Sequence, residues 1–157
     1  MRACIIPGSF DPFTLGHLDV VKRASALFDK VYVAIMVNSS KQGTFDFAKR
    51  KKIAELSCEG LQNVEIITAD GLLADLCRAL EVRAIVKGVR NSQDFIYEFN
   101  MAGMNKHLND QAETLLLPCS PEFSFVSSTF VRDLIKYGKS LKGVMHDSAI
   151  EYIYELS

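Results

Sequence analysis

Five short apolar runs, rich in β-branched residues, punctuate this chain at residues 4–6, 31–37, 64–68, 84–86 and 114–117. Between them the apolar residues change period. Leu18, Val21, Ala24 and Phe28 fall on one face of a helix, as do Leu73, Leu76, Cys77 and Leu80. Phe95, Phe99, Ala102 and Met104 roughly continue the pattern, Val131, Leu134 and Ile135 mark a further helix, and Ile150, Ile153 and Tyr154 a last one. A strand that is apolar along its whole length is buried on both faces, and amphipathic helices between such strands supply the two covers. The expected fold class is therefore α/β, a doubly wound, five-stranded parallel sheet of Rossmann-like design. At 157 residues the chain is expected to form one domain spanning 1–157.

In such sheets ligands bind beyond the carboxyl ends of the strands. A polar cluster follows each apolar run there: 9–17, 38–44, 70–73, 87–91 and 120–129. The first is the most telling. PGSFDPFTLGH, residues 7–17, joins a strand to a helix expected to start at about Gly16, and it holds Ser9, Asp11, Thr14 and His17. Small residues at such a joint let backbone N–H groups approach an anion. His17 then falls in the first helical turn, near the positive end of the helix dipole, where a neutral or protonated imidazole can donate to a phosphate oxygen.

Lys87-Gly88-Val89-Arg90 places two cations about a glycine just after the fourth run, and an arginine fork suits phosphate. Ser127, Ser128 and Thr129 precede a helix-period stretch, offering more hydroxyls than one cap requires. Lys41 lies in a polar loop on the same sheet edge, which raises its interest. The run Lys49-Arg50-Lys51-Lys52 reads instead as a solvated helix turn, because four successive helical residues point in different directions.

Composition removes other classes. A net charge of −1 and a pI near 6.3 argue against a general nucleic-acid or membrane-surface binder. No apolar run approaches the roughly 20 residues of a membrane span, and no leader pattern opens the chain. Cys4, Cys58, Cys77 and Cys119 form no C-x-x-C pair and read as reduced core residues of a cytoplasmic protein. His107 and His146 have no metal-ligand neighbours, and there is neither a Walker P-loop nor a G-x-G-x-x-G.

Thr14-Leu15-Gly16-His17 resembles the (T/H)-x-G-H signature of the nucleotidyltransferase superfamily, and the resemblance narrows further. KGVRNSQDFIYE at 87–98, Met104-Asn105-Lys106-His107, and FSFVSST at 123–129 are together similar to the motifs of bacterial phosphopantetheine adenylyltransferases, nearly end to end. The resemblance implies a nucleotidyltransferase fold and reversible transfer of AMP from ATP to 4'-phosphopantetheine. Dephospho-coenzyme A and pyrophosphate would be the products, with Mg²⁺ carried by ATP rather than by protein side chains.

By the same resemblance His17 is the transition-state stabiliser, with Lys41 and Arg90 also catalytic. ATP would meet Ser9, Phe10, His17, Gly88, Val89, Arg90, Glu98, Phe123, Ser124, Phe125, Val126, Ser127, Ser128 and Thr129. The acceptor would meet Ser9, Lys41, Leu73, Lys87 and Asn105. The nucleophile, a phosphate oxygen, is already ionised at neutral pH, so no general base is required and catalysis rests on positioning and charge stabilisation. The family also implies a homohexamer and coenzyme A as a feedback inhibitor.

Several residues depart from the common family pattern. Ser9 replaces threonine, Lys87 arginine, Leu73 methionine, Lys49 glutamate and Phe123 tryptophan; none removes a group the chemistry requires. Two alternatives stay open from sequence. One is another nucleotidyltransferase, acting on nicotinamide mononucleotide or making cytidylyl esters; the other is a non-catalytic nucleotide-binding module. The first commonly carries histidine where this chain has Thr14, and the second has no need to hold an acceptor phosphate.

Overall fold

The strands β1 (Ala3–Gly8), β2 (Lys30–Val37), β3 (Val64–Asp70), β4 (Ala84–Val89) and β5 (Glu113–Pro118) form one parallel sheet in the order β3-β2-β1-β4-β5. The computed structural model describes residues 1–37 and 42–157. Helices α1 (Leu15–Leu27), α2 (Phe47–Ser57), α3 (Leu73–Ala79), α4 (Ser92–Leu108), α5 (Ser128–Lys136) and α6 (Asp147–Glu155) complete the α/β architecture expected from the alternating sequence pattern.

Side chains alternate along a strand, and the core follows that alternation. Cys4 and Ile6 of β1, with Val33 and Ile35 of β2, join residues from α1, α2, α5 and α6 in one buried cluster. Ile5 and Ala34, on the opposite face, pack with Cys77 of α3 and with Val82. Winding starts at β1, proceeds outward through β2 and β3, then crosses back to β4 beside β1. The chain therefore leaves the sheet in opposite directions from β1 and β4, which opens a crevice at their carboxyl ends.

Two of the strand ends that run past the sequence expectation bear on the site. β1 continues to Gly8 and β4 to Val89, so Lys87 and Gly88 lie inside the strand rather than after it; pairing of Lys87 with Leu116 and Gly88 with Leu117 on β5 carries the ladder onward. A Cβ at Gly88 would come within 2.8 Å of Val20 of α1, so this glycine also serves close helix–strand packing.

The apolar residues of α4 divide between two surroundings. Phe95 and Phe99 are 49% and 65% exposed and lie outside the cleft, Ala102 and Met104 line it, and Asn105 is the buried residue of this helix. Periodicity reports an apolar stripe without saying what covers it. Cys4, Cys58 and Cys77 are buried as expected, and burial pushes the Cys4 and Cys58 thiols up to about 12. Cys119 differs: it is partly buried and lines the crevice. Among the described residues no helix is long and apolar enough to cross a membrane.

Candidate active site

The crevice between the ends of β1 and β4 is a cleft of about 820 Å³. Its centre is the joint that leads from β1 into α1. Thr14 has extended backbone (φ −117°, ψ 173°) and caps α1. The His17 N–H donates to Thr14 Oγ1 at 3.4 Å, and the Thr14 N–H donates to His17 Nδ1 at 3.0 Å. The imidazole thus takes the place that glutamate usually holds in a capping box. Because Nδ1 accepts a hydrogen bond, the ring hydrogen of the neutral form resides on Nε2. Phe10 and Phe13 enclose the ring, at centroid distances of 4.9 and 5.4 Å. Desolvation pushes the His17 pKa down to about 3, and the nearby positive charges of Lys87 and Arg90 act in the same direction. His17 is therefore a neutral donor.

Phe10 is held at φ +45°, an uncommon conformation for a residue with a side chain, and it is almost fully buried. Its ring passes Gly8 so closely that a Cβ there would lie 3.0 Å from it. Beneath this turn, Asp11 accepts from the Thr44 N–H (2.8 Å) and the Phe45 N–H (2.9 Å), and it pairs with Arg50 at 3.4 Å. This corrects the reading of Lys49-Arg50-Lys51-Lys52 as wholly solvated. Arg50 is 5% exposed, since its position on α2 turns it inward onto Asp11.

The opposite wall belongs to β4 and α4. Lys87 Nζ lies 3.3 Å from Glu98 and donates to the Pro7 carbonyl at 3.2 Å. Arg90 is oriented by Asp94, whose Oδ2 accepts from the Arg90 N–H (2.9 Å) and Nε (3.2 Å). Asn91 caps α4 by accepting from the Asp94 N–H, which sets Asp94 in place.

The third wall is the start of α5. Ser127 caps the helix by accepting from the Phe130 N–H, Ser128 Oγ donates to the Pro12 carbonyl at 2.7 Å, and Thr129 Oγ1 accepts from Arg132. Each hydroxyl therefore has a partner within the chain, which the sequence argument from surplus hydroxyls did not anticipate. The N–H groups of Ser128 and Thr129 have no acceptor among the described residues, as the first N–H groups of a helix require an outside partner.

Ser9, Phe10, His17, Leu73, Lys87, Gly88, Arg90, Glu98, Asn105, Phe123, Val126, Ser127, Ser128 and Thr129 all line this cleft. Three expected residues do not. Val89 ends β4 and contributes its carbonyl to the Cys119 N–H; Ser124 closes a 3-10 turn by donating to the Pro121 carbonyl; Phe125 turns outward against Phe130. Lys41 lies outside the described residues.

The sequence reading also passed over Arg132, which lines the cleft and donates to the Asp11 carbonyl at 2.8 Å. Its signal was present: Arg132 stands four residues after Ser128 and so shares its helix face. Asp19 on α1 accepts from the Ser120 hydroxyl at 2.9 Å, tying the segment after β5 to the His17 helix. No sequence pattern announces that contact.

The site thus joins an imidazole at a helix start to two cations at the carboxyl end of the neighbouring strand of a parallel α/β sheet. The family model for cytidylyltransferase-like proteins matches residues 5–134. A phosphopantetheine adenylyltransferase of Clostridium tetani is 42% identical over 157 residues, spanning 100% of this chain and 98% of its own. That of Streptomyces coelicolor is 41% identical over 99% and 97%, and that of Histophilus somni 46% over 85% of each. The chain belongs to the phosphopantetheine adenylyltransferase family. Its fold is also that of a solved structure assigned to a nicotinate-nucleotide adenylyltransferase of Vibrio parahaemolyticus, with a TM-score of 0.73 at 19% identity over 99% of this chain and 93% of that one.

Proposed function

We propose that this protein transfers AMP reversibly from ATP to 4'-phosphopantetheine, giving dephospho-coenzyme A and pyrophosphate in coenzyme A biosynthesis. The observation that carries this reading is that Lys87, Arg90 and Glu98, from the 87–98 segment that resembles the phosphopantetheine adenylyltransferase motif, line the same cleft as His17. An oxygen of the acceptor phosphate attacks the α-phosphorus of ATP, and the bond from that phosphorus to the bridging β-phosphate oxygen breaks to release pyrophosphate. The Nε2–H of His17 donates to an α-phosphate oxygen as charge redistributes. Lys87, with Lys41, holds the acceptor phosphate. Arg90 and the open N–H groups of α5 hold the nucleotide.

Glu98 is assigned to the nucleotide side by family resemblance. Its ion pair with Lys87 supports a position near the boundary of the two ligands.

Mg²⁺ is proposed to enter with the triphosphate. Among the described residues no three His, Cys, Asp or Glu come together as a metal cage, and the cleft carboxylates Asp94 and Glu98 are each paired with a cation. The donor set therefore does not fit a protein-held ion, and no step is assigned to one. The chain is proposed to work as one nucleotidyltransferase unit in the cytoplasm. A homohexamer is proposed too, supported by the exposed apolar stripe of α4. Light scattering that finds only monomer at micromolar concentrations overturns it. Coenzyme A is proposed to compete for the same cleft, and calorimetry on protein that binds ATP but not coenzyme A removes that claim.

The decisive assay follows pyrophosphate release from ATP with phosphopantetheine, nicotinamide mononucleotide or phosphocholine. Turnover with phosphopantetheine alone is expected. Turnover with another acceptor identifies a different nucleotidyltransferase, and none at all identifies a binding module.

A further inference from the structure

We infer that Asp11 and Arg50 are positioning residues for His17, a role beyond the ligand-contacting residues assigned above and resting on the reading of His17 as the transition-state donor. Both side chains are nearly buried, at 10% and 6% exposure, yet neither touches the cleft. Besides pairing with each other, they tie the turn that carries Phe10 and Phe13 to the segment just before α2. Asp11 takes the N–H groups of Thr44 and Phe45. Arg50 donates through Nε to the Phe45 carbonyl at 2.7 Å and through Nη1 to the Ser9 carbonyl at 3.3 Å. From the other side, Arg132 holds the Asp11 carbonyl and Ser128 the Pro12 carbonyl. The turn is thus gripped at Ser9 from α2 and at Asp11 and Pro12 from α5.

This grip matters because the turn is what walls in the imidazole. Phe10 and Phe13 pack against His17, and only a turn of fixed shape keeps both rings in place. A buried ion pair adds little net stability over apolar residues of similar volume. What it supplies here is direction: a rigid fork and a two-oxygen acceptor that set four backbone groups relative to one another. The segment closing over the pair is shaped to it. A Cβ at Gly43 would fall 1.5 Å from Arg50 Nη2 and 2.7 Å from Asp11 Oδ2, although Gly43 itself is exposed.

The test is a mutant cycle on pyrophosphate release with ATP and phosphopantetheine. Arg50→Lys keeps the charge and loses the fork; Gly43→Ala displaces the fork from an exposed position and covers the case in which Arg50→Lys fails to fold. Each is made alone and with His17→Ala. Misplacement of a reacting group by a fraction of an ångström lowers kcat, so each single variant is expected to lose about tenfold in kcat with KM values within about twofold. In the His17→Ala background the same changes are expected to alter kcat less than about twofold, because coupled residues are not additive.

Equal losses in both backgrounds, or a change in KM alone, overturn the inference. A readout independent of the reaction is the ¹⁵N signature of the His17 ring. The parent protein is expected to show the Nε2–H form, and both variants a mixture of tautomers. Unchanged ring signals in both variants overturn the positioning role. Failure of the parent to release pyrophosphate defeats the substrate assignment instead and leaves the ring signals to decide the positioning role.

Discussion

The two sides of the cleft are built on opposite principles. In the 9–17 segment nearly every polar group is already engaged within the protein: the imidazole by Thr14, the Asp11 carboxylate by two N–H groups and Arg50, and three carbonyls by side chains from α2 and α5. On the 87–98 side the cations rest on carboxylates that a phosphate can replace, Lys87 on Glu98 and Arg90 on Asp94, in partly exposed ion pairs. On the proposed mechanism the first side supplies one aimed donor that needs no rearrangement during reaction, and the second supplies cations that would exchange a carboxylate for a phosphate. Preorganised donors contribute most where charge develops in the transition state, and exchangeable cations contribute to ground-state binding.

That contrast is most sharply tested at His17. Loss of one preorganised donor costs on the order of 10²–10³ in rate, about 3–4 kcal/mol. His17→Ala is expected to lose turnover on that scale while ATP affinity stays near normal, as measured by steady-state kinetics and calorimetry. Near-normal turnover with a raised KM for ATP would make the two sides alike. The same residue fixes a pH dependence. Its folded pKa of about 3 lies below the ordinary 6.5, so only the unfolded chain takes up this proton between those values. His17 therefore subtracts stability as pH falls from 6.5 toward 3 and subtracts none above it. Replacement by glutamine should flatten that part of the melting temperature profile.

Lys87→Ala comes next in size. A hydrogen bond from a charged donor is worth about 1.5–3 kcal/mol, so KM for phosphopantetheine should rise about 10- to 100-fold with little change for ATP. Lys87→Arg should be tolerated. A loss in Lys87→Arg as deep as in Lys87→Ala would mean that the compact ammonium is itself required.

Arg90→Ala should raise KM for ATP about tenfold, at the lower end of the same range because its side chain is more exposed. An effect confined to the acceptor would redraw the boundary between the two ligands. Ser128→Ala should be mildest. Its hydroxyl serves the Pro12 carbonyl while the helix-start N–H groups survive the change, so KM for ATP should move about threefold or less. A larger rise would place that hydroxyl on the nucleotide.

Much of this protein was legible from residue order alone. Apolar strand runs alternating with helical periods determined the parallel sheet, because only that arrangement buries both faces of each strand. Its topology brought Ser9, His17, Lys87, Arg90 and Ser128 to one edge, and the position of His17 in the first helical turn was legible too, although the capping of that turn by Thr14 was not read from the sequence. The tertiary structure alone decided the long-range pairings. Arg50 stood among solvated lysines until the packing of α2 turned it onto Asp11, 39 residues earlier in sequence. The sequence grouped four apolar residues of α4 together, and only its docking on the sheet showed that Phe95 and Phe99 face outward while Ala102 and Met104 line the cleft. Periodicity encodes what a segment does to itself; which groups meet across the chain depends on how the segments pack, and no local pattern records that.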